Sequence, residues 1–190
     1  SPAQLARQLL KAMEAKDAAR VRQLLGLAAD NAPLPPAERA PLCADPNART
    51  AAGTPMFVYA APRFNLEAME ALLAAGADPR QVKPNGFCAL AMAVQYAAQA
   101  PAEAEGVAER VAAVIERCAQ AQLGTSYAAH VASLTVGAAV TWTHKQLVSL
   151  MGGSHGTIVE ITPGGEYIVK GTASGKISSP IPSPAWLRLA

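Results

Sequence analysis

Two short motifs recur in this chain, and the recurrence restricts its fold more than any other feature. Ala44-Asp45-Pro46-Asn47 returns as Ala77-Asp78-Pro79-Arg80, and Gly53-Thr54-Pro55-Met56 is answered by Gly86-Phe87-Cys88-Ala89-Leu90. The spacing is about 34 residues, a period at which each unit is too small to bury its own apolar face and must stack on neighbours. Residues 65–96 show what the unit contains. Leu66, Met69, Leu72 and Leu73 fall at three- and four-residue intervals and share one helical face. Gly76 follows, where a helix ends most cheaply in a left-handed residue without a Cβ. Asn85-Gly86 marks a turn, and a second apolar helix begins just after it.

The same grammar extends in both directions. Residues 4–15 place Leu5, Leu9, Leu10 and Met13 at helical spacing, and Asp17 is an N-cap for a second helix through Val21, Leu24 and Leu25. Residues 30–41 carry Pro33, Pro35, Pro36 and Pro41, which exclude interior helix and read as an inserted loop with a short turn around Ala37. After 65–96 comes a second insertion, 97–106, and then a helix from Val107 to about Gln120 with Val111, Val114, Ile115 and Cys118 on its apolar face.

These motifs resemble the ankyrin repeat, whose signature runs helix, Gly-Ala-Asp, extended finger, Gly-x-Thr-Pro-Leu, helix. The resemblance divides residues 1–123 into three degenerate repeats, 2–42, 44–82 and 83–123. It implies that Thr54 caps a helix and that Pro55 occupies its first turn. Cys88-Ala89 replaces that pair in the next repeat, and Phe57 and Ala91 stand where the family usually has histidine. The family's stack forms a cupped surface that binds partner proteins. Carried over by position, the finger tips are Arg49 and Thr50, then Gln81, Val82, Lys83, Pro84, Asn85 and Phe87. The concave helix ends are Ala61, Pro62 and Arg63, then Gln95 and Tyr96. Arg49, Thr50, Arg63, Gln81, Lys83, Asn85, Phe87, Gln95 and Tyr96 are therefore the partner-binding candidates. Arg63, Phe87 and Tyr96 are its anchors, since aromatics and arginine dominate interface hot spots. The alternative for Phe87 and Tyr96 is packing inside the protein.

Beyond Leu123 the chemistry changes. Thr125-Ser126 opens a short helix within a connecting segment, 124–135. Residues 136–190 then read as short strands: Val140-Thr141-Trp142, Gly156 to Ile161, and Glu166 to Lys170, the last two joined by a Pro163-Gly164-Gly165 hairpin turn. Lys176-Ile177-Ser178 and Trp186-Leu187-Arg188-Leu189 add two more, separated by Pro180, Pro182 and Pro184. The order of strand, long loop containing Gly152-Gly153, tight hairpin and terminal strand resembles an SH3-like barrel. Trp142 and Trp186 serve there either as core or as a ligand platform. The fold class expected is α+β: an ankyrin-repeat helical stack followed by a small all-β, SH3-like barrel. The 121–136 connection has no proline, which favours packing of one part on the other.

Charge and rare residues then narrow the function. A net charge of +2 with basic residues scattered singly argues against nucleic acid. No apolar run approaches the ~20 residues of a membrane span. Cys43, Cys88 and Cys118 lie far apart, and His130, His144 and His155 have no metal-ligand spacing, so neither a metal nor a cofactor is expected. Ser154-His155 lacks an assignable acidic orienter, and residues 152–156 run into a strand where a phosphate loop would open a helix. The expectation is a non-enzymatic protein-binding module in an adaptor, regulatory or inhibitor and immunity-type role. The alternative is a ligand reader centred on the barrel, for cell wall, peptide or, least of all, nucleic acid. An odd cysteine count with no disulfide framework favours buried thiols in a reduced, cytoplasmic setting, with export or a periplasmic location open if a leader is removed. The alanine-rich composition fits a bacterial source.

Overall fold

The computed structural model describes residues 1–39, 43–100 and 105–190. Pro41 of the proline-rich loop and residues 101–104 of the second insertion lie outside the described residues. The class is α+β: eight α-helices and one four-stranded antiparallel sheet among the described residues.

Helix α1 (Pro2–Glu14) takes a proline in its first turn, where the missing amide is no loss, and buries Leu9, Ala12 and Met13. The Asp17 carboxylate accepts the Arg20 amide at 2.9 Å and starts α2 (Ala18–Leu25), which Gly26 closes in the left-handed region. Helix α3 (Met56–Ala60) runs into a 3-10 turn, Ala61–Arg63, before α4 (Leu66–Ala74). The buried Asn65 side chain accepts the Ala68 amide at the start of α4 and donates to the Met13 carbonyl at 3.0 Å, so one residue caps one helix and ties it to α1. Gly76 follows α4 at φ 94°. Helices α5 (Ala89–Ala97), α6 (Val107–Leu123) and α7 (Tyr127–Ser133) complete the helical part, with the Ser126 hydroxyl capping α7.

Two local expectations change here. Thr54 does not cap: α3 begins at Met56 with Pro55 as its N-cap, and the Thr54 amide and carbonyl instead close a turn with Thr50. Helix α6 continues past Gln120 to Leu123. Val114 and Cys118 are fully buried, whereas Val111 and Ile115 are only half-buried.

The strands are β1 (Ala139–Thr141), β2 (His155–Ile161), β3 (Tyr167–Gly171) and β4 (Arg188–Leu189), in the order β3-β2-β1-β4. The turn at 163–165 joins β2 to β3, closed by the Thr162 amide on the Glu166 carbonyl at 2.9 Å. Lys176-Ile177-Ser178 is not a strand. It touches β3 through a single bridge, Ile177 to Lys170. Trp186 sits in a 3-10 turn (Pro184–Trp186), which leaves β4 two residues long. The nearby Pro180, Pro182 and Pro184 lack the amides a longer ladder requires. The loop expected between β1 and β2 contains a helix, α8 (Lys145–Met151), which buries Leu147 and Met151 four residues apart on one face.

Two apolar cores result. Met56, Phe57, Met69, Leu72 and Leu90 centre the helical one, and Trp142, Ile158, Val169 and Leu187 the other. Trp142 is 2% exposed and donates its indole N–H to the Gly153 carbonyl, so it is core. The cores meet at the 83–87 turn. Thr143 Oγ1 donates to the Gly86 carbonyl at 2.8 Å, and the Lys145 amide donates to the Asn85 carbonyl at 3.0 Å. The Phe87 ring lies 4.4 Å from the His144 ring and 5.3 Å, edge-on, from Trp186. Each such aromatic pair contributes about 0.5–1.5 kcal/mol beyond its buried area.

Two predictions follow from this junction. Gly76 and Gly86 both hold positive φ, but a Cβ at Gly76 meets nothing, whereas one at Gly86 overlaps the Thr143 carbonyl. Gly76→Ala should cost about 1 kcal/mol and Gly86→Ala at least about 3 kcal/mol in urea unfolding. Equal losses would mean that the turn does not press on Thr143. His144 is the second case. Burial lowers its pKa from 6.5, and among the described residues its Nδ1 has no partner and the small cavity it shares with Phe87 and Trp186 is also lined by Arg188 but by no carboxylate. Lys145, next to it on α8, is a further cation. Below about pH 6.5 the unfolded chain therefore binds the extra proton more readily, so this contribution is present above that pH and is lost as the pH falls through the folded value. His144→Phe should flatten the decline in unfolding midpoint between about pH 8 and about pH 5. Parallel wild-type and variant curves would contradict it.

Candidate functional site

Where the 3-10 turn after α3 meets α5 and the start of α6, the surface opens into a groove of about 540 Å³, lined in part by Lys16, Pro62, Arg63, Phe64, Tyr96 and Arg110. A neighbouring hollow of about 350 Å³ shares Pro62, Arg63 and Tyr96 and adds Tyr59 and Lys83. Arg63, Lys83 and Tyr96, carried over by position from three separate segments, therefore come together.

Local forces hold each of them. The Arg63 guanidinium lies 3.5 Å over the Tyr59 ring and donates Nη1 to the Tyr59 carbonyl at 3.0 Å. The Tyr59 hydroxyl donates to Glu14 Oε1 at 2.7 Å, and burial first, then this bond, pushes its pKa up. Tyr96 is 40% exposed on α5, and its hydroxyl has no hydrogen-bond partner among the described residues. Lys83 opens the turn that its own amide closes on the Phe87 carbonyl. Phe64 and Lys16, both lining the larger groove, hold positive φ of 50° and 53°. Bulky side chains rarely adopt that region, and such positions cluster at functional surfaces. Among the described lining residues of the two hollows, Lys16, Arg63, Lys83 and Arg110 face a single carboxylate, Glu105. The concavity is basic with an aromatic wall.

The other candidates are used differently. Arg49 donates to the Gly53 and Val82 carbonyls and to Gln81 Oε1, while Gln81 Nε2 donates to Asn47 Oδ1. Their polar groups bind one turn to the next. Thr50 closes its own turn. Asn85 Oδ1 accepts the Phe87 amide, and its carbonyl is taken by Lys145. Phe87 is not a free anchor, because its ring is spent on His144 and Trp186. Gln95 is exposed on α5 but outside the groove lining. Lys16, Tyr59 and Arg110 complete the surface and escaped the sequence reading. Nothing in the recurrence points to them, since each approaches from outside the finger and helix-end positions.

Ser154 Oγ lies 3.0 Å from His155 Nδ1 on an exposed strand end, and no carboxylate bonds to that imidazole among the described residues. Cys118 is fully buried, and burial pushes its thiol pKa up, away from the reactive thiolate. His130 is buried, with Nε2 3.2 Å from the Pro184 carbonyl, tying α7 to the 3-10 turn. Among the described residues no cluster of three His, Cys, Asp or Glu side chains can hold a metal ion, and no helix is long and apolar enough to cross a membrane.

Set against protein-family models, curated proteins and solved structures, the chain matches none.

Proposed function

We propose that this protein is a non-catalytic protein-binding module, an adaptor, regulator or inhibitor, that grips an acidic segment of a partner protein in the Arg63–Lys83–Tyr96 groove. On this reading residues 1–123 form an ankyrin-like stack and residues 136–190 an SH3-like β unit. Support for the first comes from the paired helices, the left-handed glycines at Gly76 and Gly86, and the Arg49–Gln81–Asn47 bonds between successive turns. Support for the second comes from β4 returning to β1 after a 3-10 turn, while Ile177 and Ile181 bridge to the far side of β3.

The observation that carries the function is the convergence of cations on an exposed tyrosine across two adjoining hollows: Lys16, Arg63 and Arg110 line the larger, Arg63 and Lys83 the smaller, and Tyr96 lines both. A carboxylate seated within one Debye length (~8 Å at physiological salt) of these cations feels an attraction that salt only partly screens. Tyr96 offers a large rigid contact area at little entropic cost, as interface anchors do.

The test is affinity capture from the source cells with three baits: the wild type, Tyr96→Ala and Arg63→Glu. Tyr96→Ala should change unfolding stability by less than about 1 kcal/mol. Arg63→Glu should cost about 0.5–1 kcal/mol through its lost contact with Tyr59. Both should release a partner that the wild type retains, and retention should weaken with added salt. A partner held equally by all three baits would remove this groove from the mechanism.

A further inference from the structure

Apart from the basic groove, with which it shares no lining residue, the sheet-bearing half has a concavity of opposite character. Its volume is about 490 Å³, and it lies between α8 and the 176–181 segment, with His144 and Trp186 contributing to its lining. Its walls are apolar by construction. Leu147, Met151 and Ile181 face the sheet core at 7%, 2% and 3% exposure, so the inner surface is fixed by packing. Leu150 and Ile177, from opposite walls, remain 61% and 64% exposed. Together they give the hollow an aliphatic rim on both sides.

Polar features define what fits. Lys176 is the lone fully charged residue of the lining. It makes no ion pair among the described residues, and no carboxylate lines the hollow. The 176–181 segment bridges β3 at Ile177 and Ile181, and its other side has no ladder partner among the described residues. Pro180 removes one amide from that edge, so an extended peptide there gains few main-chain hydrogen bonds and is recognised mainly by the side chains of the hollow. The size suits a ligand site, and its described lining mixes an aliphatic floor with five polar residues, His144, Gln146, Lys176, Ser178 and Ser179.

We infer that this hollow is a second binding site, which takes an extended aliphatic segment of a partner protein carrying an acidic side chain opposite Lys176. Leu150 and Ile177 close over the aliphatic residues, and Lys176 receives the carboxylate. The site shares no lining residue with the Arg63–Lys83–Tyr96 groove, so either can fail without the other.

The full-length protein is titrated with the peptide acetyl-Leu-Asp-Ile-Leu-Asp-Leu-amide and with its Asn-for-Asp analogue. Trp186 lines the hollow and Trp142 is buried, so tryptophan emission reports occupancy. The acidic peptide should give a saturable change below about 1 mM, and the Asn analogue should bind about two- to fivefold more weakly, the loss expected for one exposed ion pair. Lys176→Glu should abolish that preference. Ile177→Asp and Leu150→Asp, at exposed positions that leave the fold intact by circular dichroism, should each eliminate binding. Arg63→Glu should leave it unchanged, which separates this site from the basic groove. Equal affinity for the two peptides, or no saturation, overturns the proposal. So does a dimer in sedimentation that Ile177→Asp dissolves, which would assign the hollow to a second copy. Trp186 quenching by neutral phosphatidylcholine vesicles but not by peptide would assign it to lipid.

Discussion

The turn at 83–87 carries more of this structure than its length suggests. Within the recurrence it is one of the two corresponding turns, closed by the Gly86 amide on the Lys83 carbonyl and by the Lys83 amide on the Phe87 carbonyl, and leading directly into α5. Its Gly86 and Asn85 carbonyls also receive Thr143 and Lys145, so the same five residues end one helical unit and dock the sheet. The earlier turn at 50–54 has no such load. A Cβ at its Gly53 would meet only the ring of Pro84. Two copies of one motif have thus been given different work by what packs on them.

That difference explains the fate of Phe87. By position it is a finger-tip residue, and a tip that faces solvent is a natural interface anchor. Its ring partners, His144 and Trp186, lie more than fifty residues away, and no local pattern announces them. The same limit hid α8. Its sequence is short and followed by Gly152-Gly153, which reads locally as loop, and its helical state rests on Leu147 and Met151 reaching a core formed by β2 and β3. Lys176-Ile177-Ser178 failed in the opposite sense. Its β-branched residue and polar flanks suit a strand, but strand identity requires a ladder, and the neighbouring prolines cut it to one bridge.

What was legible was whatever the backbone decides locally. Asp17 as a cap, Gly76 in a left-handed turn, Pro163-Gly164-Gly165 as a hairpin and the apolar face of α4 each follow from a few adjacent residues. The candidate site was half legible for the same reason. Arg63, Lys83 and Tyr96 came from the repeat's own geometry. Lys16 and Arg110 come from the tip of the α1–α2 hairpin and from the helix after the second insertion, whose approach is a matter of packing.

The two hollows differ in how each is bound to the fold. The basic groove is held by polar bonds around Tyr59, near the surface, so its geometry is local. The apolar hollow shares His144 and Trp186 with the junction. Whatever fills it therefore acts on the protonation of His144 as well. An aliphatic group placed against the imidazole strips away water and lowers its proton affinity further. A carboxylate placed there raises it. Because linkage is reciprocal, a ligand that lowers the His144 pKa must bind more tightly as the pH rises through it, and one that raises it must bind more tightly as the pH falls. The sign of the pH dependence of binding thus reports which end of the ligand lies over His144. The arrangement proposed above puts the acidic group at Lys176 and the aliphatic part under Leu150 and Ile177; where that part also covers the His144 ring, binding strengthens with rising pH.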